Sequence, residues 1–173
     1  MAILSLGIQN INAQNMSIQE TVTYINNLLK ENPYFDNYMK VYEYYSIDVN
    51  SNYDFIIHYR SSLNTRTDYR MKVSDLSYTY KNDYCSRNTE MIAWGCKTQD
   101  YANPTRCVMA ESYNNDGSKE THYFVNMSIS FSNKNEICDK IYNSLDYLFK
   151  KILEASPKNN DSDPFSKGNY KKW

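Results

Sequence analysis

Residues 121–131 read THYFVNMSISF, and every second side chain is apolar. Tyr123, Val125, Met127, Ile129 and Phe131 lie on one face of an extended chain, and His122, Asn126, Ser128 and Ser130 on the other. A run with this period is a strand with one buried face. The same period recurs upstream in YMKVYEYYSIDV (38–49), with Met39, Val41, Tyr45, Ile47 and Val49 in phase. It continues in YDFIIHYR (53–60) through Phe55, Ile57 and Tyr59, and in TDYRMKVSDLSYTY (67–80), where Tyr69, Met71 and Val73 alternate with Asp68, Arg70 and Lys72. EMIAWGCKT (90–98) and TRCVMAESY (105–113) are further candidate strands. Turn-rich breaks at 50–52, 62–66, 86–89, 100–104 and 114–118 separate these runs. Connections this short predict an antiparallel meander of six or seven strands, because parallel pairing needs long crossovers.

The sheet is flanked by two segments of helical period. Ser17-Ile18-Gln19-Glu20 is a capping box, and Ile18, Val22, Ile25, Leu28 and Leu29 then form one apolar stripe. Asn32-Pro33 ends that helix, since a residue before proline is pushed out of the α region. Asn133 with Glu136 offers a second capping box, followed to Glu154 by the stripe Ile137, Ile141, Leu145, Leu148, Phe149 and Ile152. Two amphipathic helices must bury their stripes, and the apolar face of the sheet is the available surface. The expected fold is therefore α+β: an N-terminal helix, a strongly bent antiparallel meander and a long C-terminal amphipathic helix.

Composition bounds the function. The 173 residues amount to one domain with a sizeable core, expected over residues 15–155, with a polar tail at 156–173. Nineteen basic against twenty acidic residues leave a formal charge of −1, so no global field attracts nucleic acid. No stretch approaches eighteen apolar residues, so no membrane span is expected. Residues 1–14, MAILSLGIQNINAQ, read as the remnant of a bacterial secretory signal ending at Ala13-Gln14, although no Lys or Arg precedes the apolar run. Export to the periplasm or beyond is the favoured location, with the cytoplasm as the alternative.

Compartment decides how the cysteines read. Within DYCSRNTEMIAWGCKTQDYANPTRCVMA (83–110), Cys85, Cys96 and Cys107 recur every eleven residues. No CxxC or HxxxH pair is present, so the spacing carries neither a zinc nor a thioredoxin-type signature. A hairpin turning near 101–102 would set Cys96 against Cys107, within disulfide reach. That leaves Cys85 for Cys138 on the C-terminal helix, and export favours two such bonds.

This order of elements resembles small exported bacterial proteins of uncharacterised function in which a PH-like (pleckstrin-homology-like) partial barrel carries a long C-terminal helix. The residues that suggest it are INAQ, SIQETVTYINNLL, DYRMKVSDLSY and ICDKIYNSLDYLFKKIL. The resemblance implies a fold and transfers no functional residue. Lipid binding is not expected, because no basic cluster of the kind phosphoinositides need is present.

No GxSxG, HExxH, Walker loop or GxGxxG motif occurs, and His58 and His122 fall on the polar phases of separate strands. No catalytic residue, metal ligand or cofactor is assigned. Tyrosine contributes eighteen residues, which suits both a half-buried sheet and hydrogen bonding combined with stacking. Tyr59, Arg60, Trp94 and His122 are the candidate binding surface, although the phase of Trp94 also suits the core. The favoured function is a non-catalytic binding or interaction module for a small ligand or an envelope protein. A small hydrolase with a site assembled from separate strands is the alternative.

Overall fold

A computed structural model describes residues 16–78, 91–97, 105–114, 116–132 and 137–157. Helix α1 spans Ile18–Glu31 and helix α2 spans Ile137–Ala155. Among the described residues there are nine strands: β1 (Tyr34–Asp36), β2 (Val41–Val49), β3 (Asp54–Ser61), β4 (Arg66–Lys72), β5 (Leu76–Tyr78), β6 (Met91–Cys96), β7 (Val108–Tyr113), β8 (Lys119–Phe124) and β9 (Asn126–Ser130). They form a six-stranded sheet in the order β1-β2-β3-β4-β7-β8 and a three-stranded sheet in the order β5-β6-β9, antiparallel throughout.

The single meander of six or seven strands is therefore corrected to two sheets. Strands β1 to β4 do follow one another as a meander. The chain then leaves the large sheet through a 3-10 turn at Val73–Asp75, which drops Val73 into the core and sends β5 into the small sheet. The decisive run 121–131 is itself divided. Val125 separates β8, on the edge of the large sheet, from β9, on the edge of the small one. Met127, Ile129 and Phe131 are buried as their phase demands, whereas Tyr123 on the large-sheet side is exposed. Met39, expected on the inner phase of the first strand run, precedes β2 in a turn and is also exposed.

Helix α1 begins where its capping box places it. The Glu20 amide donates to Ser17 Oγ at 3.2 Å, and the Ser17 amide donates to Glu20 Oε2 at 2.8 Å. The Glu20 carboxyl is held below its usual range first by the bond from the Ser17 amide and then by the Ser17 hydroxyl, which donates to Oε2 at 2.8 Å. Val22, Ile25 and Leu29 bury the helix's stripe. The capping residues expected for α2, Asn133 and Glu136, lie outside the described residues, as do residues 1–14 and the tail beyond Pro157.

The core fills the angle between the two sheets and the helices. Phe55 on β3, Trp94 on β6 and Phe149 on α2 meet there, with ring centroids 4.9–6.2 Å apart, and all three are almost fully buried. Trp94 thus belongs to the core and to no binding surface. Its Nε1 is buried without a hydrogen-bond partner among the described residues, which costs about 1–3 kcal/mol against the ring's large apolar burial.

Cys96 and Cys107 form a disulfide, with Cα atoms 5.6 Å apart. The hairpin that suggested this bond does not exist. Strand β6 pairs with β5 and β9, whereas β7 pairs with β4 and β8, so the bond ties the end of one sheet to the start of a strand in the other. Cys138 is disulfide-bonded as well, and Cys85, the partner expected for it, lies outside the described residues.

A polar contact adds to the buried stripe in holding α1 on the sheet. Strand β1 pairs with β2 only over Val41–Glu43, so the β2 edge beyond that point lacks a neighbour in its sheet. Asn26 on α1 supplies the missing partner for Ile47. Its Nδ2 donates to the Ile47 carbonyl at 2.9 Å, and its Oδ1 accepts from the Ile47 amide at 2.7 Å. Asn26→Ala leaves both backbone groups unpaired in a half-buried place, an expected loss of about 1–3 kcal/mol. The better helix propensity of alanine returns about 0.5 kcal/mol of this. Urea unfolding would measure the loss, with exposed Thr23→Ala as the control expected to stay within about 0.5 kcal/mol.

Candidate functional site

A cleft of about 350 Å³ is lined by residues of both sheets. Tyr69 on β4 and Phe124 on β8 form its large-sheet wall, their rings 6.5 Å apart. Met91 and Ala93 on β6 with Asn126, Met127 and Ser128 on β9 form the other wall. Strand alternation explains the lining. Ile92, Trp94 and Ile129 point to the core, so Met91, Ala93 and Ser128 turn the opposite way, into the cleft. Apolar walls with a few polar groups are the usual makeup of a small-molecule site.

A second polar group borders the cleft through Tyr69. Glu43 sits on the inner phase of β2, between Val41 and Tyr45, where a carboxylate needs partners. The Tyr45 hydroxyl donates to Glu43 Oε2 at 2.9 Å, and the Tyr59 hydroxyl donates to Oε1 at 3.4 Å. The two phenol rings lie 5.3 Å apart. Burial first, then the Glu43 charge, drives the Tyr45 phenol well above its ordinary range, with a smaller opposing contribution from Ser130 on β9. The same two causes push Tyr59 up to about 12, and they also raise Tyr69. Three phenols are thereby held neutral near one carboxylate, and two of them, Tyr45 and Tyr59, donate to it.

The candidate residues do not converge. Tyr59 belongs to the Glu43 cluster. His122 shares the inner face of β8 with Phe124, their rings 6.4 Å apart, and its Nε2 lies 3.3 Å from Glu120 Oε2. Arg60 is exposed on the opposite face of the large sheet, and Trp94 lies in the core. Glu43, Tyr69 and Phe124 were not anticipated. For Glu43 the signal was present, a carboxylate in phase with Val41, Tyr45 and Ile47.

The outer face of the large sheet carries rows of side chains set by strand register. One row runs Ser46–His58–Asp68–Glu111–Thr121 across β2, β3, β4, β7 and β8. His58 Nδ1 lies 2.8 Å from Asp68 Oδ1, and Arg66 Nη2 donates to Asp68 Oδ2 at 2.9 Å. Partial burial pushes the Asp68 carboxyl up, but the bonds from His58 and Arg66 outweigh it and hold the group below its usual range. Arg66 also stacks 4.5 Å from the Tyr113 ring centroid, and Lys119 pairs with Glu111. A further cleft of about 330 Å³ lies at the C-terminal end of α1, beside the rings of Phe35 and Tyr42, whose centroids are 4.8 Å apart at a tilt of 54°. Among the described residues no cluster of three or more His, Cys, Asp or Glu could hold a metal ion. Among them, too, no helix is long and apolar enough to cross a membrane.

Compared with known proteins, the chain matches no family model, no curated sequence and no solved structure.

The Tyr59 phenol gives a direct check on the cluster. In ultraviolet titration one phenol is expected to ionise near pH 12, and Glu43→Gln is expected to lower that value by removing the charge. A folded-state value above the unfolded one means that the contribution to stability is complete below about pH 10. It is then lost as pH rises through the folded value, so wild type should lose stability over pH 10 to 12 more steeply than Glu43→Gln.

Proposed function

We propose that this protein is a non-catalytic binding module of the bacterial periplasm or cell envelope, and that a small ligand occupies the cleft between its two sheets. The observation that carries this reading is the cleft itself: apolar Met91, Met127 and Phe124 around the polar groups of Tyr69, Asn126 and Ser128. Its volume suits a small organic ligand. The Tyr69 phenol on its wall offers a donor to a carbonyl or hydroxyl, while the Glu43 charge disfavours an anionic group close by. The disulfide between Cys96 and Cys107 supports an oxidising compartment, which fits export after removal of a leader at residues 1–14. The PH-like arrangement is part of the same proposal, supported by the long C-terminal helix packed against the sheets.

The test is ligand-observed NMR with a library of neutral aromatic and acyl-chain fragments. Binders are expected at millimolar to micromolar affinity, weakened at least about tenfold by cleft-filling Ser128→Trp. They should be unaffected by Arg60→Ala on the far face. Fragments that bind Ser128→Trp as well as wild type would exclude the cleft. Fractionation with alkylation before reduction checks the compartment: no reactive thiol in the exported fraction is expected.

A second reading, a small hydrolase, rests on one observation: the row Ser46–His58–Asp68 with its short His58–Asp68 contact. This row lies on the open outer face, and neither cleft touches it. Nothing there would exclude water from a reacting group, so we favour binding. Hydrolysis of p-nitrophenyl acetate that is abolished in both Ser46→Ala and His58→Ala would reverse that preference.

A further inference from the structure

Two sheets leave several edges, and they are not equally protected. Strand β1 has three residues and follows Pro33, which has no amide hydrogen to offer a neighbour. Strand β5 also has three residues. Strand β9 is half buried and lies against β2. Strand β8 is different. All six of its residues, Lys119–Phe124, are exposed, and it pairs with β7 on one side and with no described strand on the other. A turn closed by the Asn114 and Gly117 amides, with Gly117 at φ +81°, fixes it against β7. Alternate backbone N–H and C=O groups of such an edge point outward, unpaired.

We propose that β8 pairs antiparallel with β8 of a second copy of this chain, about a two-fold axis through Thr121 normal to the sheet. The two six-stranded sheets would then become one continuous sheet.

The sequence of β8 selects this partner and this register. A two-fold axis normal to the sheet keeps each face on its own side, so opposed residues must share a face, and the axis must pass through a residue. Centred on Glu120, the pairing sets carboxylate against carboxylate. Centred on His122, it sets imidazole against imidazole and leaves Glu120 facing Phe124. Centred on Thr121, it sets Glu120 against the partner's His122, and His122 against the partner's Glu120. On the other face, Lys119 meets the partner's Tyr123, a cation over a ring, and the two threonines face each other. Within one chain Glu120 and His122 already lie 3.3 Å apart, and their side chains are 62% and 53% exposed. Four complementary side chains would therefore cluster on the inner face. Among the three registers centred on Glu120, Thr121 or His122, only that on Thr121 opposes no like titratable groups and sets each carboxylate against an imidazole.

Sedimentation equilibrium on the full-length, oxidised protein tests this directly. Wild type is expected to move toward twice the chain mass as concentration rises through the micromolar range. His122→Glu opposes carboxylates in both symmetric positions and should weaken dimerisation at least about tenfold. Glu120→His combined with His122→Glu exchanges the two groups, recreates both pairs, and should restore dimerisation to within about threefold of wild type. Circular dichroism confirms that each variant is folded. Should His122→Glu fail to fold, Thr121→Arg on the outer face opposes like charges at the axis and must weaken the dimer similarly. A wild type that stays monomeric to about 1 mM overturns the proposal. So does a folded His122→Glu that dimerises like wild type, or a folded double variant that remains a monomer.

Discussion

Three aromatic rings hold this molecule together. Phe55 belongs to the large sheet, Trp94 to the small sheet and Phe149 to α2, and each is in edge or tilted contact with the other two. A domain built from layers needs each layer to bury a face against another. Here three layers meet at one point, and no two of them would cover the third alone. The helix stripe from Ile141 to Ile152 follows from that meeting, as does the inward phase of Ile92, Trp94 and Ile129. The indole N–H has no partner among the described residues, a cost set against the apolar area that the Trp94 ring buries at this joint.

The departure of the chain from the large sheet at Val73–Asp75 has two consequences. It brings β6 across the core, where Trp94 can reach Phe55 and Phe149. It also separates β6 from β7, so that Cys96 and Cys107 join two sheets instead of two rungs of a hairpin. A cross-link of this kind constrains the angle between sheets as well as the unfolded chain. The cleft lies beyond that angle, where Tyr69 and Phe124 on one sheet face Met91 and Ser128 on the other. A rigid joint behind an open cleft is a sound basis for binding, because little ordering remains to be done when a ligand arrives.

Much of this was legible in the sequence. The capping box at Ser17–Glu20, both helices, and the inward phases of β2, β3 and β4 follow from periodicity, because they depend on residues close together in the chain. What could not be read was which strands share a sheet. The period of 121–131 is unbroken, yet β8 and β9 belong to different sheets, and alternation gives no sign of a change of partner at Val125. Trp94 could have been core or surface from its phase alone, and its contacts with Phe55 and Phe149 are long-range. None of the cleft-lining residues was read as such, and the neighbouring Glu43 alone carried a signal, a carboxylate on a buried phase. Asn26 gave no signal, since its role depends on β1 being too short to cover Ile47.

The polar groups divide in a way that follows from what covers each surface. On the open outer face, Asp68 is shared between His58 and Arg66, and Glu111 is matched by Lys119. Partly exposed pairs of this kind contribute little stability each, but together they give the sheet a neutral, wet face. On the inner face, Glu43 accepts from the Tyr45 and Tyr59 phenols. A carboxylate that accepts from two phenols has partners without a cation beside it, and the single donor of each phenol is taken up by it. The first arrangement satisfies its own charges. The second spends its donors on its own carboxylate, and the polar groups left facing the cleft are those of Tyr69, Asn126 and Ser128, which is the reason we place recognition between the sheets rather than on them.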